Sequence, residues 1–336
     1  MEGQRKPPLI AVLGASGLLG TAVSRTLARR PVRLRLVGRR PTALPAGARA
    51  ETEVRALDLT DEGAVAAAIA GADVVVHLVA HMTGSGTWRS AATDPQAERV
   101  NLGLVHDIVA AIRAQRPARP PVVVFAGSMS QVGKPPSHRI DGSERDEPIT
   151  AYDRQKTAGE RLIESVTADG LLRGTTLRLA TLYSQGADPT GLDRGVVATM
   201  TRKAFAGEPL TMWHDGSVTR DLLCVDDAAA AFVTAIDRIE ELVGRHWLVG
   251  TGQATSIGDL FSTIAKVVAT TTGQPEVPVV TVPPATHSMP TDMLDFVLDP
   301  ARFQGASGWA PQVALQDGLE NLARALAHES APARTS

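Results

Sequence analysis

The feature that most limits the fold of this chain is an alternation running through its first half. Short apolar runs take turns with longer segments of helical spacing. Leu9–Leu13, Val32–Val37, Glu53–Leu57, Asp73–Val79, Val122–Ala126 and Thr175–Leu179 read as strands. Helices are expected from the glycines at 14–20 to about Arg30, over Ala64–Ala70, over Arg99–Ala114 and over Ala151–Val166. In Arg99–Ala114, Val100, Leu104, Ile108 and Ile112 fall on one face. Strands joined by helices run parallel, and apolar strands need cover on both faces. The expected class is α/β, with a doubly wound parallel sheet.

Past about Leu182 the rhythm breaks, with prolines at 189, 209, 275, 278, 283, 284 and 290. Helix candidates there are Val196–Ala206, Asp226–Ile236, Ile257–Thr271 and Leu315–Ala327. The pattern predicts a smaller lobe covering a substrate. Residues 1–181 form the sheet domain and 218–250 pack back on it. Residues 182–217 and 251–330 form the lobe, and 331–336 are a frayed tail.

Several classes of protein are disfavoured. Apolar types make up 43% of the 336 residues and charged types 21%, the balance of a globular chain. A net charge of −2 argues against a nucleic-acid partner. No apolar run approaches the roughly 18 residues of a membrane span, and the N-terminus does not read as a secretory leader. A single cysteine, Cys224, suits a reducing cytoplasm. No metal site is expected.

Gly14-x-x-Gly17-x-x-Gly20, with Ser16, Leu18 and Leu19 between, follows the first strand and opens a helix. Glycines there permit a tight turn and let backbone N–H groups approach a pyrophosphate at the helix N-terminus. The second strand ends in Val37-Gly38-Arg39-Arg40. An NAD site usually carries an acid near this point. Glycine and two arginines instead predict NADPH, with Arg39 and Arg40 on its extra phosphate. Asp58 and Leu59 are placed to meet the adenine edge. Leu78, Val79, Ala80 and His81 are placed to border ribose and nicotinamide.

Tyr152 and Lys156 stand four apart on a predicted helix and share a face. A phenol titrates near 10, and a neighbouring ammonium lowers that value, which makes a general acid–base pair for a carbonyl or an alcohol. With two tyrosines and five lysines in the chain, chance gives such a pair about 3% of the time. Ser128, after the fifth strand, is best placed to hydrogen-bond the carbonyl oxygen, and Ser130 is a second candidate.

With these residues assembled, the chain resembles the extended short-chain dehydrogenase/reductase family from about Leu9 to Leu326. The landmarks, in order, are the Gly14/Gly17/Gly20 turn, Ser128, Tyr152/Lys156, and Arg220-Asp221 leading to Val225-Asp226-Asp227-Ala228. The resemblance implies a Rossmann domain, a nicotinamide cofactor and often a nucleotide-sugar substrate. It adds Asn101, Ala126 and Ala180 to the cofactor-lining residues. Within the family the chain is similar to NDP-4-keto-6-deoxyhexose 4-ketoreductases. The segments that suggest this are 128–133, 210–216 and 244–250. This implies an NDP-sugar, dTDP-linked, with Arg220 on its pyrophosphate, the 210–213 strand by the base, and His81, Thr181 and Trp213 near the sugar. Met82, Trp88 and Tyr183 are further candidates for shaping the pocket. A homodimer across helices 99–114 and 151–166 is implied as well.

Two positions depart from relatives: Cys224, where many carry histidine, and Thr181, where several epimerases carry asparagine. A 4,6-dehydratase needs an acidic pair after its serine or threonine, and Met129 and Ser130 stand there instead. The expected reaction is NADPH-dependent reduction of a C4 ketone. The other readings are a 4-epimerase, a reductase of a non-sugar ketone, and a non-catalytic NADP(H) sensor.

Overall fold

The computed structural model describes residues 6–43, 47–81, 94–135, 139–186, 193, 195–283 and 290–330. Seven strands pair in parallel in the order His246–Val249, Arg173–Leu179, Val122–Ser128, Val74–His77, Leu9–Leu13, Arg33–Gly38, Glu51–Ala56. The chain starts mid-sheet, builds outward to Glu51–Ala56, then crosses to Val74–His77. Strand order therefore reverses beside Leu9–Leu13, and the carboxyl ends there border the crevice where open α/β sheets bind ligands.

The two-residue period of the strands divides the core between the faces. Ile10, Val12, Val74, Val76, Val122 and Val124 join one cluster, with Val23 and Leu27 of helix Leu18–Ala28 and Phe232 of helix Val225–Asp237. Leu13, Val75, Val123 and Phe125 join the other, with Ile108 and Ile112 of helix Leu104–Gln115 and Ile163 of helix Ala151–Ala168. This is the expected doubly wound, Rossmann-type arrangement.

Three local differences from expectation have physical causes. The fourth strand ends at His77, which places Leu78 and Val79 in the loop at the crevice. The helix expected from Arg99 opens with a π-turn, Arg99–Gly103, before the α-helix Leu104–Gln115. The seventh strand, His246–Val249, is four residues long and lies between Gly244 and Gly250, too short for a periodic signal.

A third cluster joins Tyr183, Leu210, Leu222 and Cys224 with Leu260, Phe261 and Ile264 of helix Ile257–Thr272 and Leu319 and Leu322 of helix Leu315–Ser330. Its strand pairings are two or three residues long, such as Thr181–Tyr183 with Leu222–Cys224 and Thr219–Arg220 with Thr255–Ser256. The helix Val225–Asp237 lies on the face shared with Leu18–Ala28, where Arg25 meets Asp226 at 2.7 Å and Arg30 meets Asp237 at 2.8 Å. Among the described residues no helix is long and apolar enough to cross a membrane. Met82, Trp88 and residues 331–336 lie outside the described residues.

Candidate active site

The glycine turn is pinned to the end of the second strand, because Gly14 and Ala15 both donate their N–H to the Val37 carbonyl, at 2.9 and 3.0 Å. Gly14 has φ +88°, and a Cβ on Gly20 would fall 2.0 Å from the Gly14 oxygen, so neither position accepts a side chain. The helix that follows has neither a side-chain cap nor an acidic residue in its first turn. Its first N–H groups and the positive end of its dipole suit an anion, and the turn fits the diphosphate of a dinucleotide.

Gly38 makes a contact of the same kind. A Cβ there would lie 2.5 Å from the Ser16 hydroxyl, so Ser16 occupies the room an acidic side chain would need. Arg39 and Arg40 are exposed and make no hydrogen bond or ion pair among the described residues. Asp58 turns back on Thr60, accepting its hydroxyl at 2.7 Å and its N–H at 2.9 Å. Those bonds, with smaller help from Arg39 and Arg99, hold its carboxyl below the usual range. Leu59 is buried in the second core cluster, against which Val79 of the crevice loop packs.

Leu78 and Val79 are half-buried and Ala80 exposed, all beyond the fourth strand. The N–H of His81 donates to Asn101 Oδ1 at 2.8 Å, and Asn101 Nδ2 donates to Gln155 Oε1 at 2.9 Å. Asn101, expected to line the cofactor, therefore staples the 78–81 loop to the helix that bears Tyr152. Ala126 offers its carbonyl to Lys156 Nζ at 2.9 Å. Ala180, at the end of the neighbouring strand, donates its N–H to Val249.

Tyr152 is half-buried, and Lys156 Nζ lies 5.8 Å from its ring centroid and 4.7 Å from that of Phe125. Lys156 is 1% exposed, and burial pushes its ammonium down to about 7. His77 stacks on the other partner of that cation, Phe125, with ring centroids 5.4 Å apart. Burial first, then the Lys156 charge, pushes His77 down to about 3, so its imidazole is neutral.

The first turn of the Tyr152 helix is held by a capping box. Thr150 Oγ1 accepts from the Asp153 N–H at 3.1 Å, and Asp153 Oδ2 accepts from the Thr150 hydroxyl at 2.6 Å and its N–H at 3.3 Å. Asp153 is fully buried, and its Oδ1 accepts the Ser130 hydroxyl at 2.5 Å. Ser130 Oγ lies 2.8 Å from Ser128 Oγ. Of the two serine candidates, Ser128 is partly exposed and Ser130 is buried behind it. The part played by Asp153 was not foreseen, although Thr150-x-x-Asp153 is a readable helix-start signal.

One turn further on, Glu160 gathers the support for the Ser128 loop. Gln131 Nε2 donates to Glu160 at 3.1 Å, while Gln131 Oε1 accepts the Ser128 N–H at 2.8 Å. Arg178 bridges Glu160 at 2.5 Å and Asp146 at 2.6 Å. Burial alone would raise the Glu160 carboxyl, but His246 and Arg178 outweigh it and hold it down at about 2. Burial alone would lower His246, but Glu160 and Glu164 hold it up at about 9. Glu160, Glu164 and His246 are close enough to share an ion, yet the guanidinium of Arg178 already engages both Glu160 oxygens.

Of the residues expected near the sugar, His81 lies in the loop after the fourth strand, and Thr181, Trp213 and Arg220 lie beyond the strand Arg173–Leu179. Thr181 donates its N–H to the Asp221 carbonyl at 3.0 Å. Trp213 follows the strand Leu210–Met212 and is half-buried. Arg220, expected on the pyrophosphate, is held by backbone carbonyls. It is 8% exposed, and it donates to the carbonyls of Thr219 (2.9 Å), Asp292 (2.8 Å) and Leu294. A buried guanidinium must satisfy its donors, and here the 292–294 backbone does so.

Residues 10–250 match the NAD dependent epimerase/dehydratase family. The chain belongs to that family. It is 31% identical over 251 residues to a UDP-glucose 4-epimerase of Mycolicibacterium smegmatis, covering 74% of each chain. It is 25% identical to a dTDP-L-rhamnose 4-epimerase of Burkholderia thailandensis, covering 95% of each. A 2'-dehydrokanamycin reductase of Streptomyces kanamyceticus is 29% identical, over 70% of this chain and 62% of that one. Among solved structures, the UDP-glucose 4-epimerase of Thermotoga maritima shares the fold, with a TM-score of 0.78 at 22% identity over 96% of this chain and 99% of that one.

Proposed function

We propose that this family member reduces the C4 ketone of a nucleotide-linked, dTDP-carried 4-keto-6-deoxyhexose, with NADPH as the cofactor. The contact of Ser16 with Gly38 carries the reading. A side chain at position 38 would crowd the Ser16 hydroxyl, which disfavours the acid that would select NADH, beside two exposed arginines that suit a phosphate. A cofactor drawn from the NADPH pool and exchanged at each turnover fits net reduction better than internal oxidation and return.

When bound along the carboxyl edge of the sheet, the nicotinamide supplies a hydride. Tyr152 gives its proton to the reacting oxygen, and Lys156 tunes that phenol. Ser128 contacts the same oxygen. The lobe of residues 182–217 and 251–330 covers the sugar nucleotide, with His81, Thr181 and Trp213 beside it. Arg220 serves by bracing residues 292–294. Two copies pair through helices 99–114 and 151–166, which sedimentation checks.

The decisive assay follows cofactor oxidation with dTDP-4-keto-6-deoxyglucose. NADPH should be preferred to NADH, and an Arg39→Ala, Arg40→Ala double variant should lose that preference. Tyr152→Phe should keep cofactor binding and lose at least about a hundredfold in turnover. Preference for NADH, or an isomeric product with no net cofactor oxidation, would overturn the reading. The second outcome would favour a 4-epimerase, the name carried by two of the relatives. Free dTDP should inhibit competitively, which separates a sugar-nucleotide site from one for other ketones. No consumption of any reducible ketone would leave a sensor.

A further inference from the structure

The hydrogen bonds behind Ser128 have a direction that follows from counting hydrogens. Asp153 as a carboxylate only accepts, and Ser130 has one hydroxyl hydrogen. That hydrogen goes to Asp153 Oδ1 at 2.5 Å. The 2.8 Å contact between the two serine oxygens then requires the hydrogen of Ser128. The Ser130 N–H approaches Ser128 Oγ at 3.3 Å and takes one of its lone pairs. What Ser128 offers to the crevice is the remaining lone pair.

We propose that Asp153, acting through Ser130, fixes Ser128 as a hydrogen-bond acceptor toward the substrate, so that Ser128 holds the reacting group in its alcohol form. This rests on the reading of Tyr152, Lys156 and Ser128 as a carbonyl–alcohol site. It changes the part given to Ser128 at the outset, where that residue donates to the ketone oxygen. In the arrangement seen, Tyr152 is left to meet the ketone as donor. Ser128 engages once the oxygen bears a hydrogen, and it releases the group as it becomes a ketone again.

Asp153 and Ser130 are positioning residues here. Both are buried, at 0% and 1% exposure, so bulk water does not compete for the relay. The second carboxylate oxygen is held by the Thr150 hydroxyl and N–H, which keeps the first aimed at Ser130. The four residues also couple the relay to the turn that carries Tyr152, because Thr150 and Asp153 cap that helix.

Replacing Asp153 with asparagine reverses the relay without changing its shape. The amide oxygen still accepts from Thr150, while the amide N–H now donates to Ser130. Ser130 then donates to Ser128, and Ser128 donates to the crevice. The wild type and Asp153→Asn are compared in two non-reacting complexes: dTDP-glucose with NADPH, and dTDP-4-keto-6-deoxyglucose with NADP. Asp153→Asn should weaken the alcohol complex about tenfold, the effect of one hydrogen bond, and leave the ketone complex equal or tighter. Parallel losses in both complexes, or no change in either, would overturn the proposal, since a purely structural role moves both together. If neither ligand binds the wild type, the sugar-nucleotide reading fails by itself. The relay is then decided by neutron diffraction on deuterated wild-type crystals. Deuterium on Ser128 pointing at Ser130 upholds it, and deuterium on Ser130 pointing at Ser128 overturns it.

Discussion

Lys156 and Glu160 stand one turn apart on the same helix, and both side chains are buried. Their surroundings differ in one respect. Glu160 faces two cationic partners, Arg178 at 2.5 Å and His246 at 3.4 Å. Lys156 has a carbonyl at 2.9 Å and two aromatic rings, and among the described residues it has no carboxylate. Burial therefore dominates at Lys156 and brings it to about 7, while pairing dominates at Glu160 and holds it at about 2. A buried charge without a counter-ion becomes easy to titrate and so becomes useful chemically. A buried charge with counter-ions becomes structure.

The largest effect expected from this contrast is at the unpaired member. Lys156→Met should fold, because it replaces a costly buried amine with an apolar chain of similar length. Its turnover should fall by about 10²–10⁴ through loss of the tuned acid. The same variant tests the electrostatics through stability. The folded lysine titrates near 7 and the unfolded one near 10.5. Between those values only the unfolded chain holds the proton, so Lys156 adds a component to stability that rises with pH across that window. A urea melt series should show a more positive slope of stability against pH in wild type than in Lys156→Met. An unchanged slope would mean that Lys156 is not desolvated as described.

Next in size is the paired member. Arg178→Met strands Glu160 and Asp146, whose side chains are 3% and 13% exposed. Breaking a buried pair from one side costs about 3–5 kcal/mol, a Tm fall of about 4–7 °C by calorimetry. If the variant melts like wild type, the network does not hold the Ser128 loop.

The unpaired group was legible in the sequence and the paired one was not. Tyr152 and Lys156 share a helix, so a spacing of four places them together. The glycine turn and Gly38 lie beside their strands, and their roles follow from local geometry. Asp153 and Ser130 are separated by 23 residues and meet only because the fifth strand and the helix converge. Arg178 and Glu160 belong to different elements, and nothing in either segment names the other. Arg220 shows another non-local contact. Its place in a familiar motif suggested a ligand contact, and nothing local foretold that it also donates to backbone carbonyls 72 and 74 residues away. The first lobe, built of strands of four to seven residues, was readable by period. The second lobe rests on two- and three-residue pairings that leave no pattern.

A smaller effect separates the two groups by sign. His246 is held at about 9 against an unfolded value of 6.5. Its contribution is complete below 6.5 and is lost as pH rises through 9, opposite to the trend from Lys156. His246→Gln should remove the opposing component, so stability rises between pH 7 and 9, where in wild type the Lys156 and His246 components offset each other. The melt series used for Lys156 reads this directly, and an unchanged slope would mean that His246 is not charged beside Glu160.

The smallest effect comes from moving the same ion pair to the surface. Arg25 meets Asp226 at 2.7 Å, the distance at which Arg178 Nη1 meets Asp146. The Arg25 and Asp226 side chains are 46% and 36% exposed. Water and salt screen such a pair, and Arg25→Ala should cost about 0.2–1 kcal/mol, less at high ionic strength. Denaturant melts at low and high salt measure it. With equal distances, the several-fold gap between this variant and Arg178→Met isolates what burial adds. A loss at Arg25 as large as at Arg178 would mean that distance alone sets the strength of these pairs, and the contrast between Lys156 and Glu160 would then need a cause other than desolvation.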